Sequence, residues 1–97
     1  MKFSPFVFLL CVGVLGCGSG TEPPSASQQA VTEHNKGLAF AEKEDWGNAI
    51  PCYTEAIRLD PDDAKAYHNR GIAYYEQGNK AKAEADFAKA KELGYAP

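Results

Sequence analysis

Apolar and small residues recur from Ala30 onward at the three-to-four-residue spacing of amphipathic helices, and polar breaks divide them into four segments. A Gln-Gly-Asn run at 77–79 separates two of these segments, and a Glu-Asp pair at 44–45 stands at the same point of the first half. The Pro-Asp-Asp run at 61–63 separates the halves, because proline interrupts a helix and aspartate caps the next one. The pattern predicts four helices, near residues 30–43, 46–59, 64–77 and 80–92.

The second half of this region repeats the first with a period of 34 residues, so that residues 30–63 align with residues 64–97. Self-similarity at a fixed period of this length is typical of solenoid repeats, whose units stack on one another. The aligned pairs are His34 and His68, Asn35 and Asn69, Gly37 and Gly71, Ala39 and Ala73, Phe40 and Tyr74, Ala49 and Ala83, Tyr53 and Phe87, Ala56 and Ala90, and Leu59 and Leu93.

These residues, in this order, resemble the signature of the tetratricopeptide repeat over residues 30–97. The second unit carries Tyr67, Gly71, Tyr74, Ala83, Phe87 and Ala90, with Tyr95 where the family has proline. The first unit carries Gly37, Phe40, Ala49, Tyr53, Ala56 and Pro61, with Glu33 where the family has an aromatic residue. The resemblance implies an all-α fold of two helix-turn-helix units, residues 30–63 and 64–97, which form four antiparallel helices of a short α-solenoid.

The two units differ where they would meet a neighbour. Ile50 and Ile57 in the first unit correspond to Glu84 and Lys91 in the second, at positions that face the following repeat in the family. We therefore expect both ends to be capped and the array to stop at two repeats. Because solenoids usually need three repeats for independent stability, we also expect self-association or stabilisation by a partner.

The resemblance also implies a concave groove along the first helix of each unit, which would bind an extended peptide or a helix of another protein. The alternative is that these residues are ordinary surface positions with no specific ligand. The implied groove residues are His34, Asn35, Leu38, Lys65, His68, Asn69, Ile72 and Tyr75.

One subclass of the family clamps a C-terminal carboxylate with a lysine and an asparagine of the first repeat and an asparagine of the second. Only Asn69 matches this set, because His34 and Leu38 stand at the other two positions. Capture of a free C-terminus is therefore not expected.

The sequence contains no recognisable catalytic motif, and its carboxylates are scattered as on solvated helix faces. His34 and His68 occupy equivalent positions and could bind a metal ion or titrate between pH 5 and 8. A metal site normally needs more than two ligands, so polar groove residues are the favoured interpretation. We predict no enzyme activity, no metal and no cofactor.

The first residues of the chain follow another pattern, in which Lys2 and an apolar run over 6–15 lead to Gly16 and Cys17. These are the parts of a secretory signal, and the segment around Cys17 resembles the bacterial lipobox. The resemblance implies a signal peptide over residues 1–16, lipidation of Cys17 and a location in the bacterial cell envelope. Gly18, in place of the aspartate that retains many lipoproteins at the inner membrane, favours the outer membrane.

Two alternatives remain for this segment. An uncleaved transmembrane anchor needs about 20 consecutive apolar residues, which is longer than the run observed here. A secretory signal that is cleaved elsewhere is the second alternative. Beyond Cys17, the absence of large apolar residues up to Gln29 predicts a flexible linker over residues 17–29.

Charge and cysteine content limit the classes of partner that the chain can bind. Removal of residues 1–16 leaves nine basic and 13 acidic residues, a net charge of −4, and no basic stretch that would bind nucleic acid. Membrane contact would therefore come from the acyl chains. Cys52 would be the one free thiol of the processed chain, either a small buried residue or a site of intermolecular pairing.

These features together predict a membrane-anchored adaptor that docks another envelope protein through its groove. The alternative is a structural protein that associates with itself at the membrane surface.

Overall fold

The computed structural model describes residues 23–96 and places them in four α-helices. Helix α1 spans Ala26–Glu42, α2 spans Trp46–Leu59, α3 spans Ala64–Glu76 and α4 spans Lys80–Glu92. The described residues contain no strand, so the predicted all-α fold is confirmed.

Helix α1 begins four residues before its predicted start, and this corrects the end of the predicted linker. Ser25 and Gln28 form a capping box. The backbone N–H of Gln28 donates to Ser25 Oγ at 3.2 Å, and the backbone N–H of Ser25 donates to Gln28 Oε1 at 2.9 Å. This reciprocal pair satisfies two of the amide groups that a helix N-terminus leaves open. Residues 26–29 are therefore helical although they contain no large apolar side chain.

The helices pack in sequential order, α1 on α2, α2 on α3 and α3 on α4, and the contact between α1 and α3 is slight. Turns of only three or four residues, over 43–45, 60–63 and 77–79, join each helix to the next. Connections this short make neighbouring helices antiparallel. The slight contact between the two first helices leaves an open face along α1 and α3.

Small residues allow the close approach within each pair. The alanines at 30, 49, 56, 66, 73, 83 and 90 are almost completely buried, and Tyr53 is the largest fully buried side chain among the described residues. A Cβ on Gly37 would lie 2.6 Å from Tyr53 Cε1, and one on Gly71 would lie 2.7 Å from Phe87 Cε1. In both units an aromatic ring therefore occupies the space that a side chain at the glycine would need.

Arg70 ties three of the helices together. Its Nε and Nη2 atoms donate to the two carboxylate oxygens of Asp86 at 2.8 Å each, and its Nη1 donates to Thr54 Oγ1 at 3.2 Å. Asp86 on α4 is only 5% exposed, so the bidentate pair supplies the partner that a buried carboxylate requires. The hydrogen bonds to Asp86 raise the pKa of the Arg70 guanidinium.

The predicted signal peptide over residues 1–16, the lipidation site Cys17 and linker residues 18–22 lie outside the described residues. Within residues 23–96, no helix combines the length and the apolar character that crossing a membrane requires.

Candidate functional site

A cavity of about 500 Å³ lies on the open face, between α1 and α3. Five of the eight predicted groove residues line it, namely His34, Asn35, Leu38, Lys65 and Asn69. Val31 and Asp63 line it as well and were not predicted from the sequence. Among the described residues, the first helices of the two units thus supply almost the whole lining, and the N-cap of α3 supplies the rest.

His34 forms the floor of this cavity and is only 9% exposed. Its Nδ1 lies 3.2 Å from Asp63 Oδ2, and its Nε2 lies 3.1 Å from Asn69 Nδ2. A neutral imidazole with its proton on Nδ1 satisfies both bonds, because it donates to the carboxylate and accepts from the amide. Both ring nitrogens are thereby engaged by protein groups.

Asp63 has two roles at once. One carboxylate oxygen accepts from the Ala66 amide at 3.3 Å and caps α3, while the other accepts from His34. The capping role is visible in the sequence, because aspartate before a helical segment is a common N-cap. The contact with a histidine 29 residues earlier is a tertiary contact, which no local pattern signals.

His68 does not line this cavity, although the sequence places it at the position equivalent to His34. It borders a second cavity of about 430 Å³, together with Phe87, Lys91, Tyr95 and Ala96. Its ring centroid lies 5.2 Å from that of Phe87 and 4.6 Å from that of Tyr95. The two histidines differ because α3 covers the first, whereas within the described residues Tyr95 covers the second.

Large apolar side chains are exposed on the same two helices. Within residues 23–96 the exposed large apolar side chains are Val31 (59%), Leu38 (38%), Ile72 (37%) and Tyr75 (52%), and all four lie on α1 or α3. Leu38 and Ile72 are equivalent positions of the two units, 34 residues apart. Ile72 and Tyr75 are not part of the cavity lining. Apolar groups that stay exposed on one face of a small protein mark an interaction surface.

The groove carries few charges. The Lys65 side chain is exposed at the cavity, and Lys80 Nζ lies 5.7 Å from the ring centroid of Tyr75. Asp63 is engaged with His34 and with the end of α3. The groove therefore offers apolar contacts, amide groups and the exposed ammonium group of Lys65, with that of Lys80 beside Tyr75.

Neither a metal centre nor a reactive thiol is evident in the described part of the chain. No group of three or more His, Cys, Asp or Glu side chains within residues 23–96 is arranged to hold a metal ion. Cys52 is half-buried, and its burial raises the pKa of the thiol, which lowers the thiolate fraction that would act as a nucleophile.

Comparison with known proteins identifies the repeats. Residues 37–78 match a family described as "TPR repeat", and residues 64–94 match a family described as "Tetratricopeptide repeat". Families of this kind are typically non-enzymatic protein-interaction modules.

Three similar proteins show the extent of the relationship. Outer envelope protein 64, chloroplastic, of Arabidopsis thaliana is 41% identical over 75 residues, covering 69% of this chain and 13% of that protein. Tetratricopeptide repeat protein 36 of Xenopus tropicalis is 42% identical over 66 residues, covering 68% of this chain and 33% of that protein. Hsp70-Hsp90 organizing protein 3 of Arabidopsis thaliana is 35% identical over 65 residues, covering 67% of this chain and 12% of that protein. The chain thus spans a third or less of the length of each relative.

Proposed function

Because residues 37–94 belong to the tetratricopeptide repeat family, we propose that this chain is an adaptor that binds another protein in the groove between α1 and α3. The observation that carries the proposal is the location of the exposed apolar side chains, which in the described residues all lie on these two helices. An interface on this face would cover Leu38 and Ile72, whose exposure has no evident structural purpose.

The lining supports an extended peptide or a helix as the bound element. Asn35 and Asn69 place amide groups at the cavity, and such groups pair with a peptide backbone. His34 holds the Asn69 amide through a 3.1 Å hydrogen bond, so this group is pre-oriented before a partner arrives. Leu38 and Ile72 would contact apolar side chains of the same partner.

We propose that an internal segment of the partner is bound rather than its free C-terminus. His34 and Leu38 stand where a carboxylate-clamping groove has a lysine and an asparagine. The name of Hsp70-Hsp90 organizing protein 3 associates that relative with Hsp70 and Hsp90. For this chain, the lining residues themselves support a different mode of recognition.

Photocrosslinking in cells tests the groove. A photoreactive amino acid at Ile72 should form a discrete adduct with another protein, and the same amino acid at the exposed position Ala85 on α4 should not. Adding Leu38→Glu should abolish the Ile72 adduct, because a charge would enter the apolar contact. Identical adducts from both positions, or an Ile72 adduct that survives Leu38→Glu, would contradict the groove as the binding site.

We further propose that the adaptor is a lipoprotein of the bacterial cell envelope, anchored through Cys17 and facing the periplasm from the outer membrane. The support is the sequence around Cys17, with its apolar run and Gly16, together with Gly18 after the cysteine. Two or three acyl chains on one residue would hold the chain stably at a membrane surface.

Metabolic labelling tests the anchor. Wild-type protein should incorporate a palmitate analogue and sediment with membranes, whereas Cys17→Ala should lose the label. Cys52→Ala, which removes a cysteine of the folded domain, should keep both the label and the membrane fraction. Label that persists in Cys17→Ala would disprove acylation at this residue.

A further inference from the structure

The end of the second unit corresponds, 34 residues later in the chain, to the surface of the first unit on which α3 packs. His68, Phe87 and Lys91 border the second cavity, and the equivalent residues 34 positions earlier are His34, Tyr53 and Ile57. On the first unit this position is taken by α3, which bonds His34. We propose that α1 of a second copy of this chain occupies the equivalent position on the second unit, so that copies associate head to tail.

The contacts of α3 define what such a helix must provide. Asp63 and Asn69 bond the two nitrogens of His34, and Arg70 donates to Thr54 on α2 at 3.2 Å. Ala66 and Ala73 are completely buried. In chain order the docking face of α3 therefore presents an acid, a small residue, an amide, a cation and a second small residue.

Helix α1 carries a partly matching series one repeat earlier, with glutamine in place of the acid and threonine in place of the first alanine, and there it faces solvent. Gln29, Thr32, Asn35, Lys36 and Ala39 align with the five docking residues of α3, and all five are exposed. Asn35 and Ala39 are identical to their counterparts, and Lys36 keeps the positive charge of Arg70. Among residues 23–96, Lys36 pairs only with Glu33 of its own helix, at 3.1 Å. Helix α1 thus keeps a docking face, although the described residues contain no earlier helix on which it could pack.

Charge complementarity favours a second copy as the occupant. Arg70 reaches Thr54, which lies one helical turn after Ile50. One repeat later, Lys36 of a second copy would lie within a turn of Glu84, which replaces Ile50 and is exposed. An exposed cation on one end of the chain would therefore lie near an exposed acid on the other, with Lys91 on the far side of the same position.

Charged residues in place of isoleucines at the end of the second unit also limit the strength of the association. Glu84 and Lys91 replace Ile50 and Ile57, at positions that face the following repeat in the family, so the contact between copies would bury fewer apolar groups than the contact within the chain. The interface is heterologous, because the two surfaces differ, and each added copy leaves one free end. We expect reversible association that continues beyond dimers as concentration rises.

Sedimentation equilibrium of the full-length chain in density-matched detergent tests the proposal. The average mass should rise with protein concentration from the micromolar to the millimolar range. Lys36→Glu and Glu84→Lys should each weaken association about tenfold, because like charges would then face one another. An equimolar mixture of the two variants should associate as the wild type does, because each contact between them pairs a lysine with a glutamate.

Controls separate this face from the groove and from the detergent micelle. Lys65→Glu makes the same change of charge at the groove cavity and should leave self-association unchanged. Association through the apolar N-terminal run would be equal in all variants. A single mass for the wild type up to millimolar concentration would overturn the proposal, as would association that the two charge reversals leave unaltered. A photocrosslink from Lys91 to an unrelated protein, while the chain stays monomeric, would assign the surface to another occupant and also overturn it.

Discussion

At the scale of single residues, equivalent positions of the two units adopt the same backbone conformation with different side chains. Glu44 and Gly78 both lie in the turn inside a unit, and both have a positive φ, 58° and 87°. Glycine adopts this left-handed region without steric cost, whereas a residue with a Cβ is strained there. The second unit therefore contains the better residue for the turn.

Glu44→Gly should stabilise the protein by about 0.5–1 kcal/mol, because relief of the left-handed strain outweighs the entropy that glycine gains in the unfolded chain. Urea unfolding followed by circular dichroism measures the effect. Gly78→Glu is the reciprocal change and should destabilise by a similar amount. Effects of the same sign for the two substitutions would contradict the equivalence of the turns.

Tyr53 should make the protein less stable at alkaline pH. Burial, and then the nearby Cys52 and Glu42, raises the pKa of its phenol to about 12, compared with 10 for a free tyrosine. The folded state therefore favours the neutral phenol, and its contribution to stability is complete below pH 10 and is lost as the pH rises towards 12. The free energy of unfolding should fall over this range by at most about 3 kcal/mol more than in Tyr53→Phe. Equal slopes for the two proteins in denaturation series across this range would exclude the effect.

At the scale of helices, the pairing inside each unit depends on a glycine beneath an aromatic ring. Gly37 lies under Tyr53, and Gly71 lies under Phe87 with the Ala83 carbonyl oxygen 3.2 Å from a would-be Cβ. Their contact is a finding of the structure, whereas the helices that carry them were predicted from the repeat pattern. The start of α1 was not, since it depends on a cap formed by Ser25 and Gln28 rather than on apolar spacing.

Gly71→Ala should destabilise the protein by about 1–3 kcal/mol, because the added methyl group must displace the Phe87 ring or separate α3 from α4. Gly47→Ala is the matched control, since a Cβ at this exposed helical position meets nothing within 4 Å. It should be neutral or stabilising by up to about 1 kcal/mol, from helix propensity alone. Equal effects of the two substitutions on thermal unfolding would show that the helix pairing is wrong.

At the scale of the whole molecule, polar contacts between sequence-distant residues hold the two units together and shape the groove. Arg70 spans α2, α3 and α4, and Asp63 joins the start of α3 to His34 on α1. The groove exists because α1 and α3 both pack near α2 while touching each other little. A partner in the groove would bridge both units and so add to a stability that two repeats alone make small.

Arg70→Met should destabilise the protein by about 3–5 kcal/mol, because the carboxylate of Asp86 would stay buried without its partner. The double variant Arg70→Met with Asp86→Leu should recover much of this loss, since no buried charge remains. A double-mutant cycle by urea unfolding provides the coupling energy. Additive losses in the double variant would mean that the two side chains act independently.

The sequence by itself determined the four helices and their 34-residue repeat, because apolar spacing, small residues and turn chemistry are local signals. The two helices that line the groove were implied by the resemblance to the repeat family. Only the tertiary structure decided what each groove residue does. His34 and His68 have the same residue type and the same repeat position, yet one is bonded to Asp63 and Asn69 beneath the groove and the other stacks on Tyr95 beside a second cavity. The physical reason is that burial of a side chain depends on the helix that covers it, and for His34 the covering groups lie 29 and 35 residues away in the chain.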